Sequence, residues 1–407
     1  MALIVQKFGG TSVADADRIR EVADHVRRCR QRDDQIVLVV SAMGKETDEL
    51  LRLAAEVSPT MPGREVDMLI TAGERKATAL VCMALHDIGV PADSFTGSQA
   101  GFLTDTNHRN AKILDINPQR VRTAVDEGRV PVVAGSQGVS TGRDVTFLGR
   151  GGSDTTAVAL AKALGADLCE LYTDVSGVFT TDPRVVMSAR KMSSISFDEL
   201  LEMTATGCPK PAMRSVEVAG RYGVPLHIRS AFTWEPGTIV TQEDPTMEQA
   251  IVSAITPDDS EAKVTVSGVP DEPGIAARLF RALADAGVNV DMIVQNTSAD
   301  GVTDISFTVP NEQVEVATAA SQALGADIGA LGVITDASIG RVSVIGAGMK
   351  SNPGVAATMF ETLADAGINI EMISTSPIRI SCVIAEDDLE RAVVLLHSAY
   401  ELSNSTH

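Results

Sequence analysis

Aromatic side chains are scarce in this sequence, 3% of 407 residues, and Trp234 is its one tryptophan. A surface that stacks nucleic-acid bases needs several rings, so that activity is disfavoured. Cysteine is sparse too. Cys29, Cys82, Cys169, Cys208 and Cys382 are odd in number, scattered and without a CxxC pair. Neither a disulfide framework nor a zinc site is expected, only reduced and mostly buried thiols. Positive charge is in deficit: 34 Lys and Arg against 54 Asp and Glu give a formal net charge of −20. Nucleic acid and anionic membrane both reward clustered cations, so neither is expected as a partner, and an anionic substrate would need a local positive site. No apolar run approaches the roughly 20 residues of a membrane-spanning helix. The first residues enter a strand pattern without a charged-then-apolar leader, and a cytoplasmic location is expected.

What the sequence does have is apolar content, 44%, enough for two or three domains with their own cores. Short β-branched runs, Leu3–Gln6, Gln35–Val40, Val130–Val133, Asp167–Tyr172 and Pro225–Ile228, alternate with Ala- and Leu-rich helical stretches. That rhythm predicts an α/β sandwich, a mostly parallel sheet with helices on both faces. Ligands in such folds collect at the carboxyl ends of the strands.

The last third is one unit written twice. The stretch from Ala262 realigns with that from Gly340; Pro273-Gly274 matches Pro353-Gly354, and Leu283–Asn289 matches Leu363–Asn369. Each copy reads strand, Pro-Gly loop, amphipathic helix, Ala-Gly turn, strand. The pattern resembles the ACT domain, a ferredoxin-like α+β sensor whose pairs bind amino acids at their interfaces. A dimerisation device without ligand is the alternative. Turn residues and acids at 243–257 predict a hinge there, with domains at 1–245, 258–335 and 336–407.

Four segments carry candidate chemistry. Lys7-Phe8-Gly9-Gly10-Thr11-Ser12 follows the first strand and precedes a helix. Its glycines admit close backbone approach and Lys7 supplies a point charge, which suits a phosphate. It is neither GxxxxGK[ST] nor GxGxxG. Gly149-Arg150-Gly151-Gly152-Ser153-Asp154 opens a helix over Ala157–Leu164, with Ser153 and Asp154 where a cap would lie. Arg150 and free N–H groups there suit a carboxylate and a transferring phosphoryl group. The stretch from Tyr172 to Arg184 is a strand end with acids, either a nucleotide loop or an ordinary solvated one. In Thr71-Ala72-Gly73-Glu74-Arg75, Glu74 reads as an acid at a helix start, placed there by the helix dipole or to hold a substrate amine. Ser41-Ala42-Met43-Gly44 adds a glycine turn.

Taken in order, KFGGTS, VVSAMG, TAGER, LGRGGSDTTA and YTDVSGVFTTDPR, followed by the paired ACT-like units, resemble aspartokinase of the amino-acid kinase superfamily over residues 2 to 400, most nearly the actinobacterial monofunctional type. The resemblance implies ATP- and Mg2+-dependent phosphorylation of the side-chain carboxylate of L-aspartate, feeding lysine, threonine and methionine synthesis. It implies that Lys7, Arg150 and Asp154 are catalytic. Lys7, Phe8, Gly9, Gly10, Ser41, Thr173, Asp174, Phe179, Asp182, Arg184 and Lys210 would meet the nucleotide. Thr47, Glu74, Arg150, Gly151, Gly152, Ser153 and Asp154 would hold the substrate. Asp271, Gly274, Asn289, Gln295, Val355, Asn369 and Ser376 would line effector pockets for lysine and threonine, in a homodimer or higher oligomer joined through the ACT units. An internal start at Met247, as in relatives with a separate regulatory subunit, is a further expectation.

The chain departs from the family pattern near the substrate. Ser136 stands where a GFxG phenylalanine is usual, Phe147 precedes LGRGGSD, Lys76 follows TAGER, Ser176 replaces an acid, and Lys210 is displaced by one position between prolines. Two alternatives follow: a kinase for a modified aspartate or another amino acid, and a non-catalytic sensor.

Overall fold

The computed structural model describes residues 2–242, 251–295, 301–349 and 352–403. Met247 and residues 243–250 of the expected hinge lie outside these. The chain divides into two compact units, 1–178 with 191–204 and 209–247, and 179–190 with 205–208 and 248–407.

The strands of the first unit are, in chain order, β1 (Leu3–Phe8), β2 (Gln35–Val40), β3 (Ala92–Phe95), β4 (Phe102–Thr104), β5 (Ile113–Ile116), β6 (Val130–Ala134), β7 (Gln137–Ser140), β8 (Val145–Phe147), β9 (Leu168–Thr173), β10 (Ser194–Ser196), β11 (Leu226–Ser230) and β12 (Thr238–Thr241). Its helices are α1 (Ala16–Arg30), α2 (Glu46–Val57), α3 (Gly63–Asp87), α4 (Gln119–Asp126), α5 (Gly152–Leu164), α6 (Phe197–Ala205) and α7 (Met213–Tyr222). Eight strands form the main sheet in the order β10-β12-β11-β9-β1-β2-β6-β3, parallel throughout except between β11 and β12. Every expected strand of the sandwich is present. The central runs QIVLVV and VPVVA are apolar without alternation because helices cover both faces. On one face Ile19, Val22 and Val26 of α1 and Ala77, Val81 and Leu85 of α3 pack on Phe8, Leu38, Val40 and Tyr172. On the other, α5 lies against β1 and β9, with α7 outside it. The chain leaves β1 toward β2 on one side while β9 flanks it on the other, so a crevice opens where the strand order reverses. A small sheet, β5-β4-β7-β8, stands beside the main one.

The second unit contains β13 (Ala254–Asp258), β14 (Glu261–Pro270), β15 (Ile293–Gln295), β16 (Val302–Pro310), β17 (Gly332–Asp336), β18 (Ile339–Ile345), β19 (Met372–Ser376) and β20 (Arg379–Ala385), with α8 (Ile275–Asp285), α9 (Val314–Ile328), α10 (Gly354–Asp365) and α11 (Leu389–Ala399). Each copy of the repeat makes an antiparallel four-stranded sheet, β15-β16-β14-β17 and β13-β18-β20-β19. Helices α8 and α10 follow their Pro-Gly loops as expected, and both end in Ala-Gly turns whose glycines have φ of 75° and 71°. Two expectations are corrected. Ala254–Pro257 of the expected hinge is strand, because its apolar side chains are buried in the core. That strand precedes the first copy yet pairs with β18 of the second, so the two modules are nested rather than in tandem. Arg341 on β18, 2% exposed, joins them: its guanidinium bonds Asp258 at 2.6 Å and Asp291, and the carbonyl of Ala205 at 3.1 Å.

Candidate active site

The carboxyl ends of β1, β2, β6 and β9 converge on one cavity of about 380 Å³ in the first unit. Alternation along β1 turns Lys7 toward it and Phe8 to the opposite face, where the Phe8 ring stacks on Tyr172 at 4.7 Å. Phe8 is thus a core residue beneath the loop, not a wall of the cavity. Gly9 and Gly10 close the strand. A Cβ on Gly10 would lie 2.9 Å from the carbonyls of Ala42 and Gly44, so only glycine lets the two turns touch.

The loop Gly149–Gly152 brings the second cluster. Gly151 has φ 70° and itself occupies the N-cap, and α5 begins at Gly152, earlier than the sequence suggested. Ser153 and Asp154 therefore lie inside the first turn rather than at a cap. Asp154 faces Lys7, with Nζ 2.6 Å from Oδ1, and accepts the Ala212 N–H at 3.1 Å on Oδ2. Arg150 stands at the mouth, its side chain largely exposed, 3.5 Å from Asp48.

Glu74 is not at a helix start. It lies midway along α3, so the dipole explanation falls. Gly73 explains its placement: a Cβ there would meet that of Ala42 at 2.8 Å, and without one α3 packs tightly on the turn after β2. Glu74 is 2% exposed and its Oε2 has no hydrogen-bond partner. Burial pushes its carboxyl up to about 7.

On the far wall, Thr173 and Lys210 line the cavity, and Asp174 beside them forms an ion pair with Lys210. Burial pushes the Asp174 carboxyl up, but hydrogen bonds from Lys210 and Thr173 outweigh it and hold it below the usual range.

Of the sequence candidates, Lys7, Gly9, Gly10, Ser41, Thr47, Glu74, Arg150, Gly151, Ser153, Asp154, Thr173 and Lys210 line this one cavity. Gly152 sits behind it against Leu148 and Ser136. Phe179, Asp182 and Arg184 belong to the second unit, where Arg184 bonds Asp182. Ser136 and Phe147, noted as departures, are also in the cavity wall. Sequence reasoning missed Asp48 and Leu51 of α2, which line it, and Asp67, fully buried, which bonds His108 and the N–H groups of Arg109 and Phe147 and holds that side of the site together. A lone acid in a helix offers no signal of such a role.

In the second unit Asp271 and Gly274 lie on the loop before α8, and Gly274 is its N-cap with φ 98°. Asn289 follows the Ala-Gly turn, and Gln295 and Ser376 end β15 and β19. Asn369 is exposed, whereas Val355 is buried in the core between α10 and α11.

A strand end closed by two glycines, a lysine paired with a helix-borne aspartate and a buried carboxyl group share this one cavity. The amino acid kinase family matches residues 2–230, and the ACT domain matches 264–322 and 342–400. The aspartokinase of Mycolicibacterium smegmatis is 56% identical over 99% of this chain and 97% of its own. The chain belongs to the aspartokinase family. The aspartokinase of Corynebacterium glutamicum is 52% identical with the same coverage. Among solved structures, E. coli aspartokinase III in complex with aspartate and ADP (R-state) matches with a TM-score of 0.82 at 25% identity, covering 98% of this chain and 99% of that one. The same enzyme with lysine and aspartate (T-state) gives 0.74 at 25% identity, covering 97% and 99%. Aspartokinases are kinases, and the chain is an enzyme of that class with ACT-type regulatory modules. Among the described residues no helix is long and apolar enough to cross a membrane.

Proposed function

We propose that the chain transfers the γ-phosphoryl group of ATP to the side-chain carboxylate of L-aspartate. The observation that carries this reading is buried Glu74, whose Oε2 has no hydrogen-bond partner, in the lining of the cavity that also holds Lys7. A buried acceptor without a partner fits a ligand ammonium, and the opposed lysine fits an anion, the charge pattern of an amino acid beside a phosphate.

In this reading Lys7 neutralises charge developing on the transferring group, with Gly9 and Gly10 against the phosphates. Asp154 holds Lys7 in place. Arg150, Ser153, Gly151 and Thr47 hold the acceptor's carboxylates, with Gly152 behind them. Ser41, Thr173, Asp174 and Lys210 belong to the nucleotide side, as does Phe8 through its backbone. ATP brings the phosphoryl group; Mg2+ would accompany its phosphates and offset their charge. Among the described residues no three His, Cys, Asp or Glu side chains gather as a metal site. Residues 1–245 form the catalytic domain in this reading, and the modules from 258–335 and from 336–407, the latter completed by β13, bind lysine and threonine and join subunits of a cytoplasmic oligomer.

The test is ATP turnover with magnesium and L-aspartate, the acyl phosphate being trapped with hydroxylamine, without and with lysine and threonine. Hydroxamate formation, lowered by an effector, is expected. No product from aspartate but product from another amino acid would overturn the assigned acceptor.

A further inference from the structure

Ser136 follows β6 at φ 58°, a left-handed conformation that glycine adopts freely and serine does not. Three hydrogen bonds hold it there. Its N–H donates to Thr156 Oγ1 at 3.0 Å, its carbonyl accepts the Leu148 N–H at 2.8 Å, and its hydroxyl lies 2.9 Å from Ser153 Oγ. Both serines are 5% exposed and both line the cavity. The neighbouring backbone is equally constrained: a Cβ on Gly135 would meet Ser153 Oγ at 2.4 Å, and one on Gly152 would meet Ser136 Oγ at 3.0 Å. The hydroxyl pair is therefore fixed in space.

A hydroxyl carries one proton and two lone pairs. If Ser153 donates to Ser136, it has no proton left for the cavity; if Ser136 donates to Ser153, the Ser153 proton is free to point into it. An anionic oxygen in the cavity selects the second arrangement, and a donor that is itself hydrogen-bonded as an acceptor is polarised and donates more strongly. We propose that Ser136 is a positioning residue that donates to Ser153 and so turns the Ser153 hydroxyl toward a carboxylate of the acceptor amino acid. This rests on the acceptor site assigned above. The acceptor's carboxylate is then read by two hydroxyls in series, and the strained backbone of Ser136 is where the second one has to sit.

The experiment compares wild type, Ser136→Ala, Ser136→Gly, Ser153→Ala and the Ser136→Ala/Ser153→Ala double variant, with KM for L-aspartate, KM for ATP and kcat measured by hydroxamate trapping. Thermal melts check folding. Alanine removes the hydroxyl and keeps the strain; glycine removes both. The expected result is a rise of about tenfold in KM for aspartate in both single Ser136 variants, about 1.4 kcal/mol, with KM for ATP unchanged. The double variant is expected to match Ser153→Ala alone. Retention of the wild-type aspartate KM in Ser136→Gly, an equal rise in both KM values, or additive effects in the double variant would each overturn the proposal. Should Ser136→Ala fail to fold, the glycine variant, whose backbone suits the φ, decides the same question. Wild-type enzyme inactive on aspartate would instead remove the assigned acceptor, a distinguishable failure.

Discussion

The Lys7 ammonium lies 2.6 Å from Asp154 Oδ1, joining the end of β1 to the first turn of α5 across the mouth of the sheet. Both side chains are about a tenth exposed, at 12% and 10%, so the pair is only partly screened. The aspartate keeps the lysine ordered without occupying its remaining donors.

Lys7→Ala is expected to lower kcat by about 10²–10³-fold, the usual effect of deleting one donor to developing charge. KM for aspartate should change far less. Turnover close to wild type in the trapping assay would exclude Lys7 from the transfer step.

Glu74 gives the site a pH dependence. Its folded value of about 7 lies above the ordinary 4.5, so the group is protonated below neutrality and must ionise to hold an ammonium. The kcat/KM for aspartate should rise as pH passes through about 7, and Glu74→Gln should flatten the profile while raising KM for aspartate. Stability runs the other way. A raised carboxyl favours the folded state below about 4.5, and that contribution is lost as pH rises through 7. At pH 8 the glutamine variant should be more stable by at most about 3 kcal/mol, and a melt no higher than wild type would contradict the burial argument.

Beneath the Lys7 loop, Glu170 accepts bonds from Gln6 at 2.7 Å, Arg229 at 2.9 Å and the Tyr172 hydroxyl at 3.0 Å. Burial pushes this carboxyl up, but His227 and Arg229 outweigh it and bring it to about 2. Its contribution to stability is present above about pH 4.5 and lost as pH falls toward 2. Arg229→Met leaves the acid buried without its cation and should cost about 3–5 kcal/mol, read by denaturant unfolding; the loss should shrink at pH 3.

Arg341→Met tests the second unit in the same way. Asp258, Asp291 and Glu261 would lose their shared cation, for about 3–5 kcal/mol of destabilisation. A lowered thermal transition with the catalytic rate at saturating substrates retained is the expected outcome; an unaltered melt would show the cluster to be neutral.

Most of the fold was legible because each level of the sequence agreed with the next. Apolar runs marked the parallel strands, and the Pro-Gly and Ala-Gly turns marked the sensor helices. The cavity was legible at glycines: Gly10 and Gly73 sit where any side chain would collide. What escaped depended on distance along the chain. Nothing near Asp67 announces that the N–H of Phe147, far along the sequence, will bond it. Glu74 looked like a helix start because the eleven residues before it in α3 lack a cap signal, and no side chain caps that helix in the structure. The pairing of β13 with β18 spans the whole first module, a register that local pattern does not encode.

Nesting also gives the sensor half a mechanical order. The inner module, β14 to β17, hangs between β13 and β18, and both of those strands are held in the outer sheet. Tension applied between residues 253 and 403 acts first on the pairing of β13 with β18, and the backbone of the inner module is stretched only after β13 has been stripped from β18. Pulled from its ends, this half should unfold from the outside in, the first-written copy last.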